Sequence, residues 1–179
     1  MSAPAPPKLT IIIPVYNEEK TVDELLEKLA LVDIGFPREV LVVDDASTDS
    51  TSQKLSAWTS KNSLPVRVMR HAANRGKGAA VRTAIAESKG EIVVILDADL
   101  EYDPAEIPRL IAPISEGKAD VVYGNRFHGG PQRVVYFWHY LGNRTLTLLT
   151  DILTNTNLQD METGYKVFTK KVLDSITLT

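Results

Sequence analysis

The chain of 179 residues has a mass of 19.8 kDa, which suits one α/β domain with its own core and is too short for two. Lys and Arg total 20 and Asp and Glu total 23, so the net charge of -3 excludes the basic excess that is typical of proteins that bind DNA or RNA. The lack of Cys in the sequence excludes disulfides, thiolate metal ligands and cysteine nucleophiles.

The two ends of the chain and the lengths of its apolar stretches lead to three further expectations. Residues 1–8 are rich in Pro and Ala, and we expect them to form a flexible tail rather than the apolar core of a signal peptide. No stretch reaches the roughly 18 uninterrupted apolar residues that a membrane span needs, so we expect a cytoplasmic location. Because residues 172–178 contain no charged tail or Gly-Pro stop signal, we expect this chain to be truncated at its C-terminus.

Apolar runs of strand length alternate with segments of helical period, a pattern typical of a mostly parallel α/β sheet with helices on both faces. The first half is predicted to contain a strand over 9–15, a helix that begins at a capping box of Thr21 and Glu24, a strand over 39–43, a helix capped within 47–50, and a strand over 66–69. The second half is predicted to contain a helix over 78–88, a strand over 92–96, a helix from Pro104 made irregular by Pro108 and Pro113, a strand over 119–123, and a long helix over 134–153.

Acidic side chains follow the predicted strands at their carboxyl ends, where open parallel sheets bind ligands. Asp44 and Asp45 follow the second strand, and Asp97 and Asp99 follow the strand over 92–96. Two carboxylates at alternate positions against a buried strand end repel each other unless a cation lies beside them. Because oxygen is the only ligand atom offered there, we expect Mg²⁺ or Mn²⁺, with substrate phosphates completing the shell. The pattern therefore predicts a diphosphate ligand.

Other binding motifs are weaker. Residues 74–78, Asn-Arg-Gly-Lys-Gly, precede a predicted helix whose free N–H groups and dipole can hold an anion. The segment lacks the first Gly and the Ser or Thr of a Walker A loop, and Val81 stands where a dinucleotide fingerprint needs a small residue. His71, His128 and His139 lack metal-ligand spacing, and we expect His71 and His139 to be packing or surface residues. The sequence therefore disfavours zinc sites and hydrolase chemistry.

Five motifs, taken in order, resemble those of family 2 inverting glycosyltransferases with the GT-A fold: Ile12–Glu18, Val42–Asp49, Asn74–Gly78, Asp97–Asp99 and Gly124–Arg126. The resemblance extends from about Leu9 to Phe168. Within the family, three segments are most similar to the polyprenyl-phosphate glycosyltransferases, the dolichyl-phosphate mannose and glucose synthase group: Asp99–Glu101, Gly124–Phe127 and Gln159–Phe168. Many of those synthases carry Gln where this chain has Glu101.

The resemblance implies a GT-A type, Rossmann-like single domain over 9–179, with a nucleotide-sugar half over 9–126 and an acceptor-side half over 127–179. The residues that it implies for nucleotide binding are Pro14, Tyr16, Glu18, Asp45, Lys77 and Asp97. It implies that the metal on the diphosphate is bound by Asp97, Asp99 and Glu101. The residues that it implies for catalysis are Asp97, Asp99, Arg126 and Asp160.

Two acceptor classes stay open in the sequence. A lipid phosphate, with a second pKa near about 6, is mostly ionised at neutral pH and attacks without a protein base. A sugar hydroxyl must lose its proton, and Asp160 or Glu162 would then be the general base. Aromatic residues near the start of the long helix either cover the sheet or lie at a membrane surface between Arg133 and Arg144: Tyr136, Phe137, Trp138 and Tyr140.

We expect transfer of a hexose from a UDP or GDP sugar to a polyprenyl phosphate, catalysed on the cytoplasmic face of a membrane. Family relatives commonly continue into membrane-associated helices, so the resemblance also implies a C-terminal anchor in a longer protein. Two other classes fit less well. In receiver domains the acidic pair follows the first strand, whereas Asp44 and Asp45 follow the second. In haloacid dehalogenase phosphatases the Asp-x-Asp also follows the first strand, whereas Asp97 and Asp99 follow the strand over 92–96. A non-catalytic module that binds nucleotide-sugars stays open.

Overall fold

The computed structural model of the protein describes residues 8–62, 64–124 and 137–176. In these ranges the strands are β1 (Leu9–Val15), β2 (Arg38–Asp44), β3 (Val66–Arg70), β4 (Ile92–Ile95), β5 (Val121–Tyr123) and β6 (Lys166–Thr169). The helices are α1 (Val22–Leu31), α2 (Thr51–Lys61), α3 (Lys77–Glu87), α4 (Ile107–Ser115), α5 (Phe137–Thr154) and α6 (Lys170–Ser175), and a 3₁₀ turn over Pro104–Glu106 precedes α4.

The strands form one sheet in the order β3-β2-β1-β4-β6-β5. The strands β3, β2, β1 and β4 are parallel to one another, whereas β6 runs antiparallel to both β4 and β5. In the centre, Ile12 pairs with Leu41 on one side and with Ile95 on the other. Every residue of β1 is buried, which explains why its sequence is a continuous apolar run rather than an alternation.

Helices cover both faces of the sheet, as predicted. Ile11 and Ile13 point into an apolar cluster with α1, α2 and α4, whereas Ile12 points to the opposite face with Ala80 of α3 and Leu173 of α6. Successive residues of a strand face opposite sides, so one strand serves both layers. The carboxyl ends of β1, β2 and β4 consequently open at one edge between these layers.

Of the two sequence predictions about helix starts, the one for α1 needs correction. The capping box is wrong: Thr21 donates to Glu18 Oε2 at 2.7 Å and α1 starts without a side-chain cap, while Glu24 pairs with Lys28 at 2.7 Å. For α2 the predicted window holds the cap position, Ser50, but its side chain caps nothing. Asp49 instead accepts the N–H of Thr51 at 3.0 Å.

The remaining element boundaries differ by a few residues. Leu96 lies just past β4, although its N–H still donates to Ile12 O at 2.9 Å, and β5 begins at Val121 rather than at residue 119. The irregular helix over 104–115 is confirmed as a 3₁₀ turn followed by α4 with Pro113 inside it. Of the predicted helix over 134–153, the first three residues lie outside the described part.

Candidate active site

The loop after β1 and the loop after β2 are joined by side-chain hydrogen bonds to backbone. Asn17 N–H donates to Ser47 Oγ at 3.0 Å, and Thr48 N–H donates to Asn17 Oδ1 at 2.8 Å. Asn17 lies in the left-handed region with φ 57°, which Asn tolerates better than most residues. Ala46 lies there too, with φ 61°, at a cost for a residue with a Cβ. These bonds fix Tyr16 and Glu18 beside the end of β2.

Asp45, the first residue after β2, is buried and organises the loop before α3. Its carboxylate accepts the backbone N–H groups of Arg75 at 3.0 Å and Gly76 at 2.7 Å, and Nδ1 of His71 lies 2.6 Å from Oδ1. Burial alone would raise the pKa of Asp45, but the hydrogen bonds from His71, Arg75 and Gly76 outweigh it and hold that pKa below 3.8. Asp45 is therefore ionised at neutral pH.

Gly76 is the last residue before α3, and its φ of 84° favours glycine. From that conformation its N–H reaches Asp45 while its carbonyl accepts the N–H groups of Ala79 and Ala80. The helix that follows begins with Lys77, whose Nζ lies 2.6 Å from Asp97 Oδ1. The structure thus brings a cation and a helix N-terminus, whose dipole attracts anions, to the end of β4.

Asp97 and Asp99 extend from the end of β4 into the same space. The Asp97 side chain is 18% exposed, and Asp99 is exposed with Oδ1 accepting the N–H of Glu101 at 2.9 Å. Their oxygens suit a hard cation such as Mg²⁺ or Mn²⁺, which takes one or two protein carboxylates and fills its shell with water and phosphate oxygens. In the described ranges, no group of three or more His, Asp or Glu side chains is placed to hold a metal ion.

These loops enclose a cavity of about 310 Å³ at the carboxyl ends of β1, β2 and β4. Seven residues that the sequence predicts for the site line it: Pro14, Tyr16, Glu18, Asp45, Lys77, Asp97 and Asp99. The other lining residues are Val15, Asn74, Gly76, Ala80 and Ala98. The structure brings the predicted nucleotide residues together with Asp97 and Asp99, two of the three predicted metal residues, and their individual roles stay predictions.

Three predicted site residues are not in this group. Glu101 is exposed and does not line the cavity. Asp160 is buried, accepts a hydrogen bond from Asn143 Nδ2 at 2.8 Å, and does not line the cavity either. Arg126 lies outside the described residues, as do His128, Arg133 and Tyr136. Glu162, the alternative base, is exposed.

Two residues, Gly164 and His71, make contacts at the site that were not predicted from the sequence. Gly164, just before β6, packs so closely on Asp97 that a Cβ there would overlap Oδ2 of the carboxylate. Its N–H donates to the hydroxyl of Tyr102 at 2.5 Å. His71, predicted to be a packing or surface residue, has a side chain that is 8% exposed and contacts Asp45 directly. In the sequence, Gly164 stood out only as part of the segment 159–168, and that position does not predict which residues it contacts.

Helix α5 turns polar residues towards the protein and apolar residues outwards. Asn143 bonds Asp160, Thr147 Oγ1 accepts the N–H of Met161 at 3.3 Å, and Asp151 accepts the N–H of Leu158 at 2.8 Å. The exposed apolar face, hereafter the α5 face, consists of Trp138, Tyr140, Leu141, Leu146, Leu148, Leu149, Ile152 and Leu153. None of the helices in the described ranges has the length and apolar character that crossing a bilayer requires.

Comparison with known sequences supports the family resemblance of the five motifs. The sequence profile described as "Glycosyl transferase family 2" matches residues 10–177. A protein of Pyrococcus furiosus named dolichol-phosphate mannosyltransferase is 32% identical over 174 residues, covering 96% of this chain and 49% of the relative. Dodecaprenyl-phosphate galacturonate synthase of Rhizobium johnstonii is 27% identical over 178 residues, covering 96% and 50%. The chain spans about half the length of these curated relatives.

Solved structures share the fold. Mannosyltransferase PcManGT from Pyrobaculum calidifontis, in complex with GDP-Man and Mn²⁺, superposes with a TM-score of 0.69 at 23% identity, covering 96% of this chain and 47% of that one. TarS from S. aureus, in complex with UDP-GlcNAc, gives a TM-score of 0.67 at 30% identity, covering 94% and 47%. These likenesses confirm the predicted GT-A type α/β fold.

Proposed function

The chain belongs to glycosyl transferase family 2, as its five ordered motifs predicted, and we propose that it transfers a hexose from a nucleoside diphosphate sugar to a polyprenyl phosphate with inversion at the anomeric carbon. The observation that carries this proposal is the cavity in which Asp45, Lys77, Asp97 and Asp99 converge. We further propose that residues 9–126 bind the donor and that 127–179 belong to the acceptor side.

The charges around the cavity support one orientation of the donor. Tyr16, Glu18 and the ionised Asp45 lie at the β1 and β2 ends and would bind the base and ribose, which offer N–H and hydroxyl donors to carboxylates. Lys77 and the N-terminus of α3 lie beside Asp97, and both attract the anionic diphosphate. The sugar is then directed towards the segment before β6, since Gly164 contacts Asp97 from that side.

Asp97 and Asp99 would hold Mg²⁺ or Mn²⁺, which when bound supplies positive charge that stabilises a leaving diphosphate. Lys77 neutralises Asp97 in the structure. When the donor enters, Lys77 is within reach of the diphosphate and can exchange its carboxylate partner for phosphate oxygens. In that position Lys77 would place a positive charge beside the leaving diphosphate, while Asp97 and Asp99 would be available to hold the cation.

The transfer step needs no protein base. An ionised oxygen of the acceptor phosphate attacks the anomeric carbon from the face opposite the diphosphate, a new carbon–oxygen bond forms, and the bond to the diphosphate oxygen breaks with its electron pair. Asp160, the alternative base for a hydroxyl acceptor, is buried against Asn143 and outside the cavity lining. That placement favours the phosphate acceptor.

The α5 face supports a lipid acceptor. Ile152 is 67% exposed and Leu153 is 83% exposed, on a helix whose Asn143 and Thr147 are buried on the opposite side. Exposed apolar helix faces with Trp and Tyr at one end are typical of segments that lie in the membrane interface. The two relatives named above have names that specify dolichol phosphate and dodecaprenyl phosphate. We propose that this face lies on the membrane that carries the acceptor.

A transfer assay tests the proposal. The chain is incubated with radiolabelled UDP or GDP hexoses, Mn²⁺ and either a short-chain polyprenyl phosphate in detergent or soluble oligosaccharides. We expect label to enter the lipid fraction only. Label in the oligosaccharides alone would contradict the phosphate acceptor and return Asp160 and Glu162 to consideration as bases, and donor binding without any transfer would favour a non-catalytic module.

Vesicle binding tests the membrane surface separately. We expect the double substitution Leu149→Ser and Ile152→Ser to reduce flotation with vesicles of phosphatidylglycerol and phosphatidylcholine, while donor binding is retained. Leu31→Ser is the matched control, since Leu31 is 86% exposed but lies on α1. If both variants float like the unsubstituted chain, the α5 face does not lie on the membrane.

A further inference from the structure

His71 connects two elements of the cavity without lining the cavity itself. Its side chain is 8% exposed and follows β3, with its N–H bonded to Asp44 O at 2.9 Å. Nδ1 lies 2.6 Å from Asp45 Oδ1, and Nε2 lies 2.9 Å from Thr83 Oγ1 in the second turn of α3. An ionised carboxylate only accepts, so Nδ1 carries a proton and donates it to Asp45.

The bond from His71 completes the set of donors around Asp45. Arg75 N–H lies 3.0 Å from both carboxylate oxygens, and Gly76 N–H donates to Oδ2 at 2.7 Å. The two backbone donors come from one loop, whereas the His71 bond ties Oδ1 to a different segment, the end of β3. A bond from a second segment limits rotation of the carboxylate about its Cβ–Cγ bond.

We propose that His71 is a positioning residue for donor binding: it fixes the Asp45 carboxylate and, through Thr83, the first turns of α3, so that Asp45, Gly76 and Lys77 are preorganised for a nucleoside diphosphate. The inference rests on the proposed function, in which Asp45 contacts the nucleoside. Preorganised groups bind more tightly because the ligand does not have to order them. His71 itself touches no substrate.

Two isosteric substitutions separate this role from simple packing. In His71→Asn the amide nitrogen takes the place of Nδ1, so the bond to Asp45 is kept and the contact with Thr83 is lost. In His71→Gln the amide lies near the position of Nε2, so the Thr83 contact is kept and the bond to Asp45 is lost. Both remove the ring from a buried position, and we expect similar losses in melting temperature.

Calorimetric titration with UDP and GDP in the presence of Mn²⁺ measures the difference. We expect Kd to rise roughly tenfold in His71→Gln, the loss of about one charge-assisted hydrogen bond, and only about threefold in His71→Asn. Unchanged affinity in His71→Gln, or equal losses in both variants, would overturn the inference while leaving the proposed function intact. If the unsubstituted chain binds neither nucleotide, the proposed function fails and this inference fails with it.

A measurement on the unsubstituted chain keeps the inference testable if either variant does not fold. Nitrogen-15 spectra distinguish the two ring nitrogens of a histidine. We expect Nδ1 of His71 to be protonated throughout the range of pH in which Asp45 is ionised. A neutral ring protonated only at Nε2 would overturn the inference, because Nδ1 would then have no proton to donate to Asp45.

Discussion

Gly164→Ala tests whether the segment before β6 holds Asp97 in place. A Cβ at residue 164 would overlap Asp97 Oδ2 and lie 2.7 Å from Cε2 of Tyr102. Carbon atoms in ordinary contact are separated by about 3.5–4.0 Å, so the carboxylate or the segment must move by about 1 Å. The added methyl group is small, but the atoms that it displaces belong to the site.

The expected effects on stability and on transfer differ in size. Overpacking of this kind costs about 1–3 kcal/mol, and 1 kcal/mol lowers the melting temperature of a domain of this length by about 2–4 °C. A misplacement of about 1 Å at a reacting centre costs about 10²-fold in rate. We therefore expect a modest loss in melting temperature together with a loss of about two orders of magnitude in transfer to polyprenyl phosphate.

Gly142→Ala is the matched control, because a Cβ at residue 142 of α5 meets no atom within 4 Å. Alanine is a better helix former than glycine by about 1 kcal/mol, so this variant should melt at a slightly higher temperature and bind the donor normally. Calorimetry and the radiolabel assay measure both variants. If Gly164→Ala transfers hexose at the unsubstituted rate, the close packing on Asp97 does not hold a group that the reaction needs.

The remaining predictions concern single residues in the loops after β2 and β4. Asp99→Asn removes charge from the proposed cation site, so transfer should fall by orders of magnitude while the melting temperature holds; normal turnover with Mn²⁺ would exclude Asp99 from the site. Ala46→Gly relieves the backbone strain of a residue at φ 61°, and we expect the free energy of unfolding in urea to rise by up to about 1 kcal/mol. A clear decrease in that free energy would contradict backbone strain at Ala46. Asp45 has a lowered pKa, so the stability that it contributes is present above its unfolded pKa near 3.8 and is lost as pH falls through the folded value. Asp45→Asn should therefore be less stable than the unsubstituted chain at pH 7, with a difference that shrinks below pH 3.8; a difference that persists in acid would have another cause.

The layout of the cavity could be predicted because it follows from local pattern and strand direction. The apolar run of β1 predicted a strand covered on both faces, and residues 92–96 predicted its parallel neighbour. Since parallel strands end at one edge, residues that follow different strands, such as Glu18, Asp45 and Asp97, had to converge. No long-range contact had to be known for this step.

The contacts that order the cavity could not be predicted, because they join residues far apart in the chain. The bonds of Asp45 to His71 and Gly76 cross from β2 to the loop before α3, and no spacing rule encodes them. Gly164 reaches Asp97 only because β6 inserts antiparallel between β4 and β5. The capping box failed for a local reason: Thr21 donates to Glu18, three residues before it and outside the helix.

Helix α5 shows how far amphipathic pattern alone can mislead. Apolar residues at helical spacing normally indicate the face that packs on the protein, yet here the inward side carries Asn143, Thr147 and Asp151. Each of these polar groups satisfies a partner in the segment before β6, among them the buried carboxylate of Asp160. Reversing the helix would turn this polar stripe to solvent and remove the Asn143 donor from the buried carboxylate of Asp160, and the loss of a hydrogen-bond donor to a buried carboxylate costs more than exposed leucines do. The same hydrogen bonds that hold α5 on the segment before β6 therefore direct its apolar face outwards, the direction from which we propose that the lipid acceptor approaches.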